Sequence, residues 1–155
     1  MNEVKKRYHI LKYSSMFHRS TQAYFNEQLK ATGIGAGQQY FLDHIARSPG
    51  IGITQLAQTA DYDNGTCAKA VKKLLDEGYI SVVPDEADGR IKHLYPTEKA
   101  LPVVEKIREM KRIWRSEVMK GFSDEEKEQL SGLLKRLSSN AAAFLADSEK
   151  GGEDQ

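Results

Sequence analysis

The chain has 155 residues, 39% of them hydrophobic and 29% charged, with a formal net charge of +1. That length suits a single domain with a real core, and the near-neutral total leaves any nucleic-acid or membrane partner to be argued from local charge pattern. No apolar run approaches the roughly 18 residues of a membrane span, the basic start "MNEVKKRYHI" lacks the apolar segment of a secretory leader, and a lone Cys67 excludes an internal disulfide framework or a Cys-cluster metal site. A cytoplasmic location is expected.

The first predicted element is a long helix over residues 4–31. Val4, Tyr8, Leu11, Ser15, His18, Gln22, Phe25 and Leu29 recur at helical spacing, and Ile10, Tyr13, Phe17 and Tyr24 form a second apolar face. A helix apolar on two faces has to bury both, one against its own domain and the other against a partner chain. Gly33, Gly35 and Gly37 are expected to end it. A short helix follows over Tyr40–Arg47, closed by "SPG". Thr54 is a candidate N-cap for a helix carrying Leu56, Ala57 and Ala60. "DYDNG" is a turn, and Asp63 or Asn64 can cap the next helix, whose apolar face is Cys67, Ala70, Val71, Leu74 and Leu75. Gly78 fits the position after that helix, where a positive φ suits glycine.

"YISVV" (Tyr79–Val83) and "IKHLY" (Ile91–Tyr95) read as two strands joined by "PDEADGR", with Asp88-Gly89 supplying the tight turn. Thr97 starts another long helix carrying Leu101, Val104, Ile107, Met110, Trp114 and Val118, with Pro102 expected to remove one internal hydrogen bond. Ser123 and Glu126 form a capping box for a last helix with Leu130, Leu133, Leu134, Leu137, Ala141, Phe144 and Leu145 on one stripe. Residues 147–155 are acidic and Gly-rich and are expected to be disordered.

Two short helices, a tight turn, a further helix and a two-stranded hairpin make a winged helix-turn-helix, in which the second helix of the pair enters the major groove. The outward positions of that helix are Asn64, Gly65, Thr66, Lys69, Lys72 and Lys73, and Asn64 to Lys73 holds three lysines and no acid. Lysines along one face are usually only a solvated face. The hairpin adds weight, because Arg90 stands at its turn, suited to a minor groove, with Asp88 placed to orient it. From Asn64 to Tyr95 the basic residues Lys69, Lys72, Lys73, Arg90 and Lys92 are matched by Asp76, Glu77, Asp85, Glu86 and Asp88, so the charge is segregated rather than strong.

The stretch "ITQLAQTADYDNGTCAKAVKKLLDEGYISVVPDEADGRIKHLYPTEKA" resembles the core of the MarR (multiple-antibiotic-resistance regulator) family. The likeness rests on "TQLAQ", the helix ending "KKLLDEGYI", the wing "DEADGR" and the "YPTEKA" after it, and extends to the last helix. Gly65, Pro96 and Ala100 depart from the family's usual Ser, apolar residue and Gly. The resemblance implies a mainly α fold with a small β-hairpin wing in one domain over 1–146: a winged helix-turn-helix at about 38–96, with dimerisation helices at about 4–31 and 97–146. It further implies a homodimer on double-stranded DNA, a ligand-responsive repressor on a palindromic operator, with contacts from Thr66, Lys69, Lys73 and Arg90 oriented by Asp88.

A small aromatic or anionic effector is implied where the dimerisation helices meet the winged domain, among Phe17, His18, Tyr40, His44, Met110 and Trp114. The same residues at helical spacing also read as ordinary core. Other readings are oxidant sensing through Cys67, a winged-helix module that binds protein, and an enzyme fragment. The last lacks a Gly-rich phosphate loop after a strand, a nucleophile elbow and a fixed carboxylate pair. "GIGAG" at residues 33–37 follows a helix and reads as a helix–helix connection. No metal or cofactor is expected, since His18 and His44 are too isolated for a metal site.

Overall fold

The computed structural model of the protein describes the backbone of residues 2–150 and the side chains of residues 9–149. Glycine sets its first boundary. Helix α1 (Asn2–Leu29) runs into one 3-10 turn (Lys30–Thr32) and leaves it through Gly33 at φ +78. The positive φ is what favours glycine there; a Cβ would also meet the Glu77 carboxylate at 2.5 Å, but that flexible side chain can move aside. Gly35 and Gly37 are not terminators. They open helix α2, which spans Ala36–Arg47 and so starts before Tyr40. Its exposed first-turn amides explain the earlier start: Asn26 Oδ1 on α1 accepts the Ala36 N–H at 2.8 Å, and Gln38 Oε1 accepts the Gly35 N–H at 3.0 Å.

Strand β1 (Ile51–Gly52) passes directly into α3 (Ile53–Ala60), so Gly52 is the N-cap and Thr54 lies inside the helix rather than capping it. Asp63 caps α4 (Asn64–Asp76), and Gly78 leaves it at φ +77. Strands β2 (Ile80–Pro84) and β3 (Lys92–Pro96) form the hairpin, with pairs from Ile80 with Pro96 to Pro84 with Lys92. β1 adds to the other side of β3, giving an antiparallel order β1-β3-β2. Two residues are too few to display alternation, which is why the third strand was not legible in the sequence.

Helix α5 spans Ala100–Val118. Thr97 contributes its carbonyl, which accepts the Ala100 N–H at 3.0 Å. Pro102 therefore sits in the first turn, where an N–H has no intrahelical acceptor, and it removes no internal bond.

The chain divides into two compact units, residues 1–114 and 115–155. In the first unit, Phe25 and Leu29 of α1, Phe41, Leu42 and Ile45 of α2, Leu56 of α3, Leu74 of α4, Leu94 of β3 and Ile107 of α5 share one buried core. Asp43 on α2 is the charged residue within it, its side chain 6% exposed, held by Arg47 at 3.1 Å and by Arg108 and Lys111 of α5, each at 3.1 Å. Burial alone would raise its pKa, but these three cations overcome that and hold it below the usual carboxylate value. Toward its N-terminus α1 is open: Ile10, Leu11, Tyr13, Met16 and Phe17 are exposed, while the side chains of Val4 and Tyr8 lie outside the described residues.

The second unit holds the end of α5, a turn through Gly121 at φ +82 and helix α6 (Asp124–Lys150). The expected capping box is formed: Ser123 Oγ accepts the Glu126 N–H at 3.1 Å, and Glu126 Oε2 accepts the Ser123 N–H at 2.8 Å. α6 exposes Leu133, Leu134, Leu137, Phe144 and Leu145. It continues to Lys150, into the stretch expected as a disordered tail, and residues 151–155 lie outside the described residues.

Candidate nucleic-acid interface

Four positions at helical spacing fix the roll of α4. Cys67, Ala70, Val71 and Leu74 are buried, so Asn64, Gly65, Thr66, Lys69, Lys72 and Lys73 all face outward and are exposed; Leu75, expected on the apolar face, lies at its exposed margin. The N-terminus of α4 is held by Asp63, whose carboxylate accepts the Thr66 N–H at 2.8 Å and the Thr66 hydroxyl at 2.6 Å. The Thr66 hydroxyl is thereby oriented, and its bonds hold the Asp63 pKa down. Gly65 has a local reason as well, since a Cβ there would stand 3.1 Å from Asp63 Oδ1.

The three lysines are not equivalent. Lys72 pairs with Asp76 at 2.8 Å and Lys73 with Glu77 at 3.0 Å, both toward the helix C-terminus. Lys69 makes no ion pair among the described residues. Exposed pairs of this kind are worth about 0–1 kcal/mol, so a phosphate can compete for either lysine. Lys69 offers its charge without that competition.

The wing is the expected loop with a tight turn at Asp88-Gly89, and Asp85 adds a second anchor that the sequence did not show. Asp85 Oδ1 accepts the N–H of Ala87 at 2.9 Å and of Asp88 at 3.0 Å, and the loop closes through Asp85 N–H to the Ile91 carbonyl at 2.9 Å. The Asp88 carbonyl accepts the Ile91 N–H at 2.9 Å around Gly89 and Arg90, closing the expected turn without a positive φ at Gly89. Asp88 is placed to orient Arg90: its Oδ1 accepts Arg90 Nε–H at 3.0 Å and the Arg90 backbone N–H at 3.1 Å, while Oδ2 accepts from Nη2 at 3.2 Å. The fork geometry limits the guanidinium to few orientations although its side chain is 92% exposed.

Behind the wing lies a residue that sequence reasoning missed. His93 on β3 places Nε2 2.9 Å from Asp85 Oδ2 and Nδ1 2.8 Å from the Gly50 carbonyl. The His93 bond and the two loop amides hold Asp85 down to about 2. Gly50 comes alongside only because β1 pairs with β3, and β1 is too short to read from sequence. Thr54 and Gln55 at the start of α3 were likewise not singled out for DNA. They line one wall of an open cleft of about 460 Å³, with Arg90, Lys92 and His93 on the other. Cations opposite a helix N-terminus suit a phosphate backbone.

The expected effector residues fall into separate groups. Trp114 stacks on Tyr24 at 5.0 Å and on Phe17 at 6.2 Å, with Phe25 edge-on at 6.5 Å. Its Nε1–H is buried with no acceptor among the described residues. Tyr40 and His44 form a second group, stacked at 5.0 Å, with Tyr62 beside Tyr40 at 6.1 Å. Met110 is core and His18 is exposed on α1. Cys67 is fully buried, with its Sγ 3.7 Å from the Ile53 carbonyl, and burial, followed by the charge of Asp63, pushes the thiol pKa up. A raised thiol pKa disfavours the thiolate that oxidant sensing needs.

A model of the MarR family matches residues 32–91, the segment from the end of the first helical stretch to the wing. The HTH-type transcriptional regulator YybA of Bacillus subtilis is 36% identical over 131 residues, 84% of this chain and 87% of its own length. A MarR protein from Peptoclostridium difficile superposes with a TM-score of 0.79 at 32% identity, covering 85% of this chain and 86% of that one. A MarR-family regulator from Listeria monocytogenes, solved in complex with a 26mer DNA, superposes with a TM-score of 0.80 at 26% identity, covering 91% of this chain and 94% of that one.

Proposed function

The chain belongs to the MarR family of transcriptional regulators, and from that premise we propose that it binds double-stranded DNA as a homodimer, with α4 in the major groove and the wing along the adjacent backbone or minor groove. The observation that carries this reading is the joint arrangement of an outward α4 face with no acid from Asn64 to Lys73 and an exposed Arg90 held by Asp88. Each half contributes differently. Thr66 and Lys69 are placed for base edges or phosphates near the N-terminal half of α4, and Arg90 for a narrow groove or a phosphate. Lys72 and Lys73 reach phosphate by exchanging one surface partner for another.

The dimer follows from cost. α1 and α6 each expose large apolar side chains, and a monomer would leave those patches in water. A second copy that covers them also sets the spacing of two recognition helices, matching a palindromic site. An effector regulates such a dimer only through a difference in its affinity for the DNA-competent and DNA-incompetent states. The aromatic group around Trp114, with an indole N–H that has no acceptor among the described residues, favours a small aromatic molecule bearing an oxygen acceptor. A repressor role and a cytoplasmic location belong to the same proposal. No helix among the described residues is long and apolar enough to cross a membrane.

Salt titration tests the DNA reading. Affinity for duplex DNA should fall linearly on logarithmic axes as salt rises, by about 0.9 in slope for each phosphate contact. Lys69→Ala, present in both protomers, should weaken binding and reduce that slope by about two contacts per dimer. A folded protein with no salt-dependent DNA affinity would instead be a protein-binding module.

A further inference from the structure

Neutral imidazole has one N–H and one lone pair. Both ring nitrogens of His93 face acceptors, the Gly50 carbonyl at 2.8 Å and the Asp85 carboxylate at 2.9 Å. In either neutral tautomer one nitrogen lone pair would point at an oxygen lone pair. Only the imidazolium donates to both. The same Asp85 carboxylate receives the Ala87 and Asp88 amides that shape the loop, and Asp88 in turn holds Arg90. The bonds form a continuous path from Gly50 through His93 and Asp85 to Asp88 and Arg90.

We propose that His93 is a positioning residue for the wing, bound as an imidazolium between Gly50 and Asp85, and that its proton ties the aim of Arg90, and so DNA affinity, to pH. The inference rests on the reading of Arg90 as a DNA contact.

The charged surroundings are mixed. From the loop, Asp85 favours the proton and Arg90, on the same cleft, opposes it; from β3, Lys92 also opposes it. The Tyr95 hydroxyl lies against Gly50, and His44 of α2 lines the neighbouring cleft with Gly50 and Gln55. α3 faces the cleft with the uncharged Thr54 and Gln55, and β2 sets Val83 opposite His93. Asp85 is the group in direct contact, and its bond, followed by that to Gly50, raises the His93 pKa above the ordinary 6.5. A raised value means that the proton's contribution is complete below 6.5 and is lost as pH rises through the folded-state pKa. A phosphate seated in the cleft would favour the imidazolium further, so DNA binding takes up the proton. One linked proton in each protomer allows affinity to fall by at most about tenfold per pH unit per half-site, or about a hundredfold for the dimer, above that pKa.

The test uses the full chain labelled with ¹⁵N, titrated from about pH 5 to about pH 9, the range in which a histidine is read. The expected result is a His93 ring that titrates above the ordinary value, with the Ala87 and Asp88 amides and the Arg90 Nε–H moving at the same midpoint. Asp85→Asn should lower that midpoint. In parallel, affinity for a mixed-sequence duplex at low salt should fall above the midpoint in the wild type and stay level in His93→Gln, which keeps a donor but no titration. A His93 midpoint at or below the ordinary value, or wing resonances that ignore it, overturns the proposal without any DNA present. If those resonances do follow His93 and Arg90→Ala weakens binding, an affinity level with pH overturns the link to DNA. Wild-type affinity in Arg90→Ala marks the separate failure of the Arg90 assignment.

Discussion

Arg90 and Asp88 divide one task at the wing. Arg90 carries the charge, and Asp88 fixes its direction through two side-chain bonds of 3.0 and 3.2 Å. Their loss should therefore be felt differently. Arg90→Ala should weaken binding to specific and random duplexes alike while leaving the fold and the dimer intact. Asp88→Ala removes a negative charge from beside the DNA and frees Arg90, so random-duplex affinity should hold or rise while the ratio of specific to random affinity falls. Equal loss for both variants on both duplexes would show that Asp88 does not aim Arg90. Asp43 makes a second case at this scale. Three cations converge on a carboxylate that is 6% exposed, and hydrogen bonds to charged groups are worth roughly 1.5–3 kcal/mol net. Because those cations can return to water, Asp43→Ala should cost about 2 kcal/mol in denaturant unfolding, toward the low end for a broken buried pair. The Asp43 pKa is lowered, so this contribution is present above the ordinary 3.8 and is lost as pH falls through the folded value. In acid the stability gap between wild type and variant should narrow. A gap that widened in acid would contradict the sign.

Among elements, legibility followed sequence separation. The outward face of α4 was readable because its buried positions, Cys67, Ala70, Val71 and Leu74, sit at local helical spacing. The Asp88–Arg90 pair and the Ser123–Glu126 box were readable for the same reason, with partners two and three residues apart. What stayed hidden depends on distant chain. The start of α2 needs Asn26, ten residues before Ala36; the His93 site needs Gly50, 43 residues away; and the Asp43 cluster needs Arg108 and Lys111, 65 and 68 residues on. The wing turn at Asp88-Gly89 was readable at short range, whereas the side chain of Asp85, which caps the loop, was not singled out. α6 makes a testable element. Its exposed Leu133, Leu137 and Phe144 find no cover in their own unit. Leu137→Lys should shift sedimentation from dimer toward monomer without loss of helical circular dichroism. A variant that remained fully dimeric would remove α6 position 137 from the interface.

The whole molecule joins these scales through symmetry. A single α4 with two lysines tethered and Lys69 unpaired among the described residues is a modest electrostatic anchor, and the net charge of +1 adds little long-range attraction. Under the proposed dimer, two copies held at fixed spacing would turn two weak half-site contacts into one cooperative one, and the exposed apolar side chains of α1 and α6 are the surfaces proposed to hold them. In the proposed dimer, an effector would act on the spacing rather than on any single contact. The most direct measurement of this account is selection from a random duplex library with the purified protein at moderate salt. The account predicts enrichment of an inverted repeat with half-site centres about one helical turn apart. Recovery of no common sequence by a protein verified as folded and dimeric would contradict it.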